Sequence, residues 1–197
     1  MKKFKLLIAL IAILGVGSVS AQKMSFGLSA GSTTAKYSIE GVSDISNTSG
    51  FNVGASWGFK LAIVSVGPEL IYSRTKFSIN DNSVYGQNAD VVVNSIDIPI
   101  IASLNILGPV QLLAGPNFSV YNKAVATLVD GEEQKIGRIT PNVGYTVGAQ
   151  VVILSRLVVG VRFNGEFDNH ATSMGDLSTS TYSVKNHDFS IHLGAKF

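Results

Sequence analysis

Every second residue from Phe51 to Ile63 is apolar. Phe51, Val53, Ala55, Trp57, Phe59, Leu61 and Ile63 share one side, and Asn52, Gly54, Ser56, Gly58 and Lys60 share the other. Successive side chains of a strand point to opposite faces, whereas a helix repeats every 3.6 residues, so this sorting predicts a strand. The same alternation begins at Met24, Phe26 and Leu28, and returns at Val64, Val66, Leu70 and Tyr72. It recurs from Ile96 to Ile106, from Val110 to Val120, from Ile139 to Val151, from Leu157 to Phe167 and from Phe189 to Phe197. That makes eight strands. The intervals between them alternate in length, short near 61–64, 107–109 and 154–156, longer and more polar near 33–49, 78–91, 122–137 and 169–185. Hairpins with tight turns on one side and long loops on the other predict an all-β fold, an eight-stranded antiparallel up-and-down barrel that crosses a membrane. The long loops are then expected outside the cell and the turns near 62, 108 and 155 in the periplasm.

A soluble lipocalin-like barrel has the same alternation, so composition must decide which face is outside. Only 14% of the residues are charged, while 46% are hydrophobic; soluble domains carry roughly 25% charged residues. The polar face is mostly Gly, Ser, Thr and Asn, which suits a narrow lumen, and the large apolar face suits lipid. Parity then points Lys60, Glu69, Asp97, Arg162, Glu166 and His192 inward, as a polar plug in which charges must pair or hold water. Arg162 is expected to meet Glu69 and Asp97. Two aromatic girdles are expected, with Phe26, Trp57, Phe59 and Phe197 near the short turns and Phe51, Tyr72, Phe118, Tyr145 and Phe189 towards the loops. Pro68, Pro99, Pro116 and Pro141 fall inside these strands, where each removes a ladder hydrogen bond, and bulges are the expected accommodation.

Residues 1–21 carry Lys2, Lys3 and Lys5, an apolar run from Leu6 to Val16 and small residues up to Ala21. The run falls short of the ~20 residues of a spanning helix, so 1–21 read as a secretory signal peptide and 22–197 as the barrel domain. The formal charge of +2 over 197 residues becomes −1 without the three leader lysines, which argues against nucleic-acid binding. The absence of cysteine excludes disulfides and thiolate metal sites.

Four short motifs carry a family resemblance. Gly67-Pro68-Glu69-Leu70-Ile71-Tyr72-Ser73 resembles the "PEL-x-Y" strand of the PorT-like outer-membrane β-barrel family of Bacteroidota. Ile98-Pro99-Ile100 is similar to that family's "IP-x-x-x-K" strand, with Ala102 and Ser103 where the family often has Lys or Arg. Leu113-Ala114-Gly115-Pro116 resembles its "x-x-GP" strand, and Leu193-Gly194-Ala195-Lys196-Phe197 its "LG-x-x-F" ending. The Ala21-Gln22 junction is similar to leaders in such bacteria. The resemblance implies an eight-stranded barrel in the outer membrane of a Gram-negative cell. It also implies that Phe197 is the signal read by the barrel-assembly machinery. It implies no single activity.

Patterns that imitate catalytic sites fit the lumen better. Gly27-Leu28-Ser29-Ala30-Gly31 and Gly54-Ala55-Ser56-Trp57-Gly58 match a serine-hydrolase elbow, yet both sit in continuous alternation with no helix to follow. His170, His187 and His192 lack metal-ligand spacing, so no metal or other cofactor is expected. Glu166, Asp168 and His170 are the raw material for a rim enzyme of protease or lipid-acyltransferase type. The favoured expectation is a scaffold for four surface loops with an unknown loop partner, embedded in outer-membrane lipid. The alternatives are that rim enzyme and a soluble ligand-binding barrel. A pore is disfavoured, because eight strands leave an interior that side chains fill.

Overall fold

Among the described residues ten strands, each antiparallel to its neighbours, follow one another: β1 (Lys23–Ile39), β2 (Thr48–Leu61), β3 (Val64–Ile79), β4 (Ala89–Leu107), β5 (Val110–Leu128), β6 (Glu133–Arg138), β7 (Val143–Ile153), β8 (Leu157–Glu166), β9 (His170–Ser173) and β10 (Thr181–Lys196). The computed structural model describes residues 23–39, 48–61, 63–79, 89–128, 133–138, 143–167, 170–173 and 181–197. The segment 1–21, read as a signal peptide, lies outside them.

Pairing runs β1-β2-β3-β4-β5-β7-β8-β10, and β10 closes on β1 from Gly27↔Lys196 to Ile39↔Val184. The result is a closed barrel of eight staves, which leaves no open edge for lipid to meet. β6 and β7 both lie along β5, one beyond the other, so they are two lengths of one stave. The interval 139–142 between them, Pro141 included, is outside the described residues. β8 and β9 divide the β10 side in the same way: three steps along β10, His187 to Val184, span five from Gly165 to His170.

Several intervals read as loops prove to be strand, namely 33–39, 48–49, 78–79, 89–91, 122–128, 133–137, 170–173 and 181–185. Their side chains are mixed and polar, so they gave no alternation. The backbone ladder continues there nonetheless.

The prolines are held in a way that differs from the expectation. Across Pro68 the β2–β3 pairing lapses between Ser56↔Glu69 and Phe59↔Val66, then resumes in the same register. The β3–β4 ladder lapses before Pro99, and the β4–β5 ladder before Pro116, again without a shift there. Each proline therefore gives up its bond to the preceding strand and keeps its pairing with the next. With no N–H opposite them, the Trp57 and Ile100 carbonyls lean over Gly67 and Gly115, where an added Cβ would sit 1.7 and 1.9 Å from the oxygen. A bulge does occur, at Val120, because Ile96 faces Tyr121 while Asp97 faces Ser119. It puts both Val120 and Tyr121 outside, so the inward set changes from Asn117 and Ser119 to Asn122 and Ala124.

Two turns at the other end are tight. Gly108 adopts φ +52° before Pro109, which fits a two-residue II′ hairpin between Leu107 and Val110. The β7–β8 turn puts Leu154 and Ser155 at φ 51° and 61°, a conformation that costs side-chain-bearing residues energy.

Candidate functional site in the lumen

Period-two geometry sends Glu69 of β3 and Arg162 of β8 into the lumen from opposite walls, and there they join. The Arg162 guanidinium donates through Nη1 to Glu69 Oε2 and through Nη2 to Oε1, the second at 3.1 Å. The side chains are 9% and 13% exposed, so the pair is largely removed from water. A planar two-pronged contact of this kind fixes orientation as well as charge. His192 of β10 lies beside it, 4% exposed, with neither ring nitrogen hydrogen-bonded. Gly160 makes room for that ring, since a Cβ there would come within 2.6 Å of it.

Two cavities meet at this layer, and both are lined by Ser29, Arg162 and His192. The loop-ward cavity, about 1130 Å³ with its open mouth, is acidic. It presents Asp97, Glu166 and Asp188, together with Asn164, Thr146 lying close by. Asp97 accepts the Ser95 hydroxyl at 3.2 Å, and Asp188 accepts the Asn164 amide at 2.8 Å. Thr146 in turn donates to Asn164 Oδ1 at 2.6 Å. The turn-ward cavity, about 630 Å³, presents Lys196. Lys196 donates to Gln111 Oε1 at 3.2 Å, and a relay from Gln150 through Gln111 to Asn105 is made of 2.6 Å bonds.

Of the inward charges read from the sequence, Glu69 and Arg162 come together, and His192 joins them without bonding. Asp97 does not reach Arg162: its stave is one strand further round, and serines hold it. Glu166 lines the loop-ward cavity. Lys60 has inward parity but sits at the turn-ward mouth, exposed. The interior is also less polar than its sequence pattern implied. Ala35, Phe77, Val91, Val93 and Ala124 point inward at the loop end, and Ile101, Leu113 and Val158 at the turn end, all buried. Asp168, and the His170 side chain, fall outside what the structure describes. Ser29 and Ser56 of the elbow-like patterns lie mid-strand in β1 and β2 and line the lumen. Among the described residues no three His, Asp or Glu side chains are placed to hold a metal ion.

The aromatic residues group at both ends. Phe26 packs edge-on against Trp57 at 5.6 Å and stacks on Phe197 at 6.5 Å. At the loop end Phe51 meets Tyr72 at 6.3 Å, and Tyr145 meets Phe163 and Phe167 at 6.2 and 5.3 Å. Phe163 of β8 and Phe167 just beyond its end share one apolar side in the sequence, but only the pairing of Tyr145 with Gly165, which lies between them, shows that they cluster with it. Phe59, Phe118 and Phe189 occupy outward positions on β2, β5 and β10.

The family model for the outer membrane protein beta-barrel domain matches residues 6–197. No curated protein matches the chain. Among solved structures, Neisserial surface protein A is 18% identical, covers 87% of this chain and 97% of its own, and superposes with a TM-score of 0.59. Ail, the attachment invasion locus protein of Yersinia pestis, solved in complex with the heparin analogue sucrose octasulfate, is 16% identical over 89% of this chain and 99% of its own (TM-score 0.57). OprG from Pseudomonas aeruginosa is 11% identical over 89% and 97%, with a TM-score of 0.55. At these identities the likeness is one of fold.

Proposed function

This chain belongs to the outer membrane protein beta-barrel domain family, and we propose from that footing that it is a plugged, non-conducting scaffold holding four loop regions at the cell surface. It is a small eight-stranded barrel of the cell outer membrane. The observation that carries the proposal is the Arg162–Glu69 pair, which with His192 lies at mid-height where the two cavities meet. Solute would have to separate a desolvated ion pair to pass. The strands that run past the aromatic girdle at the loop end supply rigid stems for what those loops bind. The reading includes no catalytic step, takes 1–21 as a cleaved leader, and places the chain with the Bacteroidota-type members of the family on its strand motifs.

Planar-bilayer recording tests the plug: the purified barrel should stay silent, and steady single-channel steps would overturn the reading. Orientation is tested by membrane-impermeant thiol labelling of intact cells. Thr127→Cys, at the outer end of β5, should label, and Arg156→Cys, in the β7–β8 turn, should label only after lysis. The reverse pattern would overturn the surface placement of the loops.

A further inference from the structure

The outside of the wall carries its charge at one end. At the turn end the outward strand positions are apolar, among them Met24, Trp57, Leu104, Leu112, Leu157 and Phe197. At the loop end the outward positions include Lys36, Arg74, Lys76 and Lys123, all exposed, and the carboxylate Asp90. Asp90 is engaged by the Ser78 hydroxyl at 2.6 Å. Among the described residues none of the four cations forms an ion pair.

Three of them form one patch. Tyr72 and Phe51 mark the loop-end girdle, and Arg74 is the cross-strand partner of Phe51, two residues beyond Tyr72 on the same face. Lys76 follows two residues later. On β4, Asn94 faces Arg74, and on β5, Lys123 faces Asn94. With neighbouring strands ~4.8 Å apart, Arg74 and Lys123 stand ~10 Å apart with Asn94 between them. The Tyr72 hydroxyl donates to Asn94 Oδ1 at 2.8 Å, which turns the Asn94 amide N–H groups into the remaining donors of that row.

Aromatic rings settle at the membrane–water interface, so side chains one or two steps beyond them lie at headgroup depth. Unpaired cations at that depth attract anionic headgroups, and the guanidinium fork matches a phosphate in two places. We propose that Arg74, Lys76 and Lys123, with Asn94 between them, form a docking site for the phosphate groups of a lipid headgroup in the loop-side leaflet. The site goes beyond the scaffold reading and needs only a barrel that spans a bilayer. A conducting lumen or a reversed orientation would leave it standing.

The test uses the full barrel in phosphatidylcholine nanodiscs, titrated with diphosphoryl lipid A or with the same lipid after enzymatic removal of its phosphates. Bound lipid is counted by native mass spectrometry. The wild type should retain the phosphorylated form preferentially. Each of R74Q, K76Q and K123Q should lower that retention about fivefold, and all three together by more. K60Q and R156Q, at the other end, should match the wild type. Equal retention of both lipid forms, or equal retention by the wild type and the triple variant, would overturn the proposal. So would a triple variant that loses binding to soluble heparin while keeping its lipid, since the patch would then read a sulfated polysaccharide instead. If the triple variant fails to fold, the three single variants carry the same comparison.

Discussion

Arg162 and Arg74 face opposite sides of one wall, and their surroundings differ in every respect that matters to a charge. Arg162 is 8% exposed, is gripped in two places by Glu69, and has its Nε without a partner. Arg74 is exposed in the loop-ward half of β3, with no counter-ion among the described residues. Inside, the medium supplies little to an ion, so the protein must provide the partner, and a missing partner is costly. Outside, at the interface, water and headgroups do that for the protein. One chain thus uses the same residue type once as a fixed internal brace and once as an open hand for the membrane. The contrast extends to acids, since Asp97 and Asp188 are held by serine and asparagine side chains, not by cations.

The largest expected effect breaks the inner half of that contrast. Arg162→Met leaves Glu69 buried and unpaired, and should destabilise the barrel by about 3–5 kcal/mol, less to the extent that water enters the lumen. Arg74→Met should leave the unfolding midpoint unchanged. Urea unfolding in lipid vesicles measures both. Combining Glu69→Gln with Arg162→Met removes both charges, so the double variant should lose less than the sum of the singles, a coupling that a double-mutant cycle reads directly. Equal midpoints for Arg162→Met and Arg74→Met would show that the lumen is wet at this level and the two arginines are not in different media.

That Glu69 and Arg162 turn inward was legible in the sequence, because parity needs nothing beyond a period of two, whereas Lys36 and Lys123 fell in intervals read as loops. Phe51 to Ile63 already fixes a strand and its faces, and Glu69 and Arg162 fall inward by counting alone. What parity cannot give is azimuth and height. It placed Asp97 and Glu69 on one inner surface without telling which of them stands opposite Arg162. It also fails where alternation is absent. Val91, Val92 and Val93 are three apolar residues in a row, so nothing in the pattern marked Val91 and Val93 as inward. The Val120 bulge shifts the inward set by one residue, and Ala124 turns in only because of it. His192 was legible as inward but not as unbonded, since that depends on Gly160 clearing a space across the strand pair.

Two glycines give the smallest and most local form of the contrast. Gly160 lies inside under the His192 ring, and Gly165 lies outside under the Tyr145 ring. An added Cβ would come within 2.6 Å of the ring in either place. The sequence spacing is odd, so the two positions belong to opposite faces of β8. Under Gly160→Ala the buried His192 ring must be pushed toward the cavities it lines, and the Gln150 Cβ, 2.8 Å from the new atom, must give way as well. Overpacking of that kind should cost about 1–3 kcal/mol. Under Gly165→Ala the atoms met are the far end of Tyr145, a side chain on the lipid face that can swing aside into fluid hydrocarbon. Its cost should be a fraction of the inner one, offset further by the alanine's preference over glycine in an ordered strand. Paired unfolding curves in the same vesicles check the ranking. A Gly165→Ala variant as damaged as Gly160→Ala would mean that the outer aromatic cluster of Tyr145, Phe163 and Phe167 is as rigid as the lumen around His192.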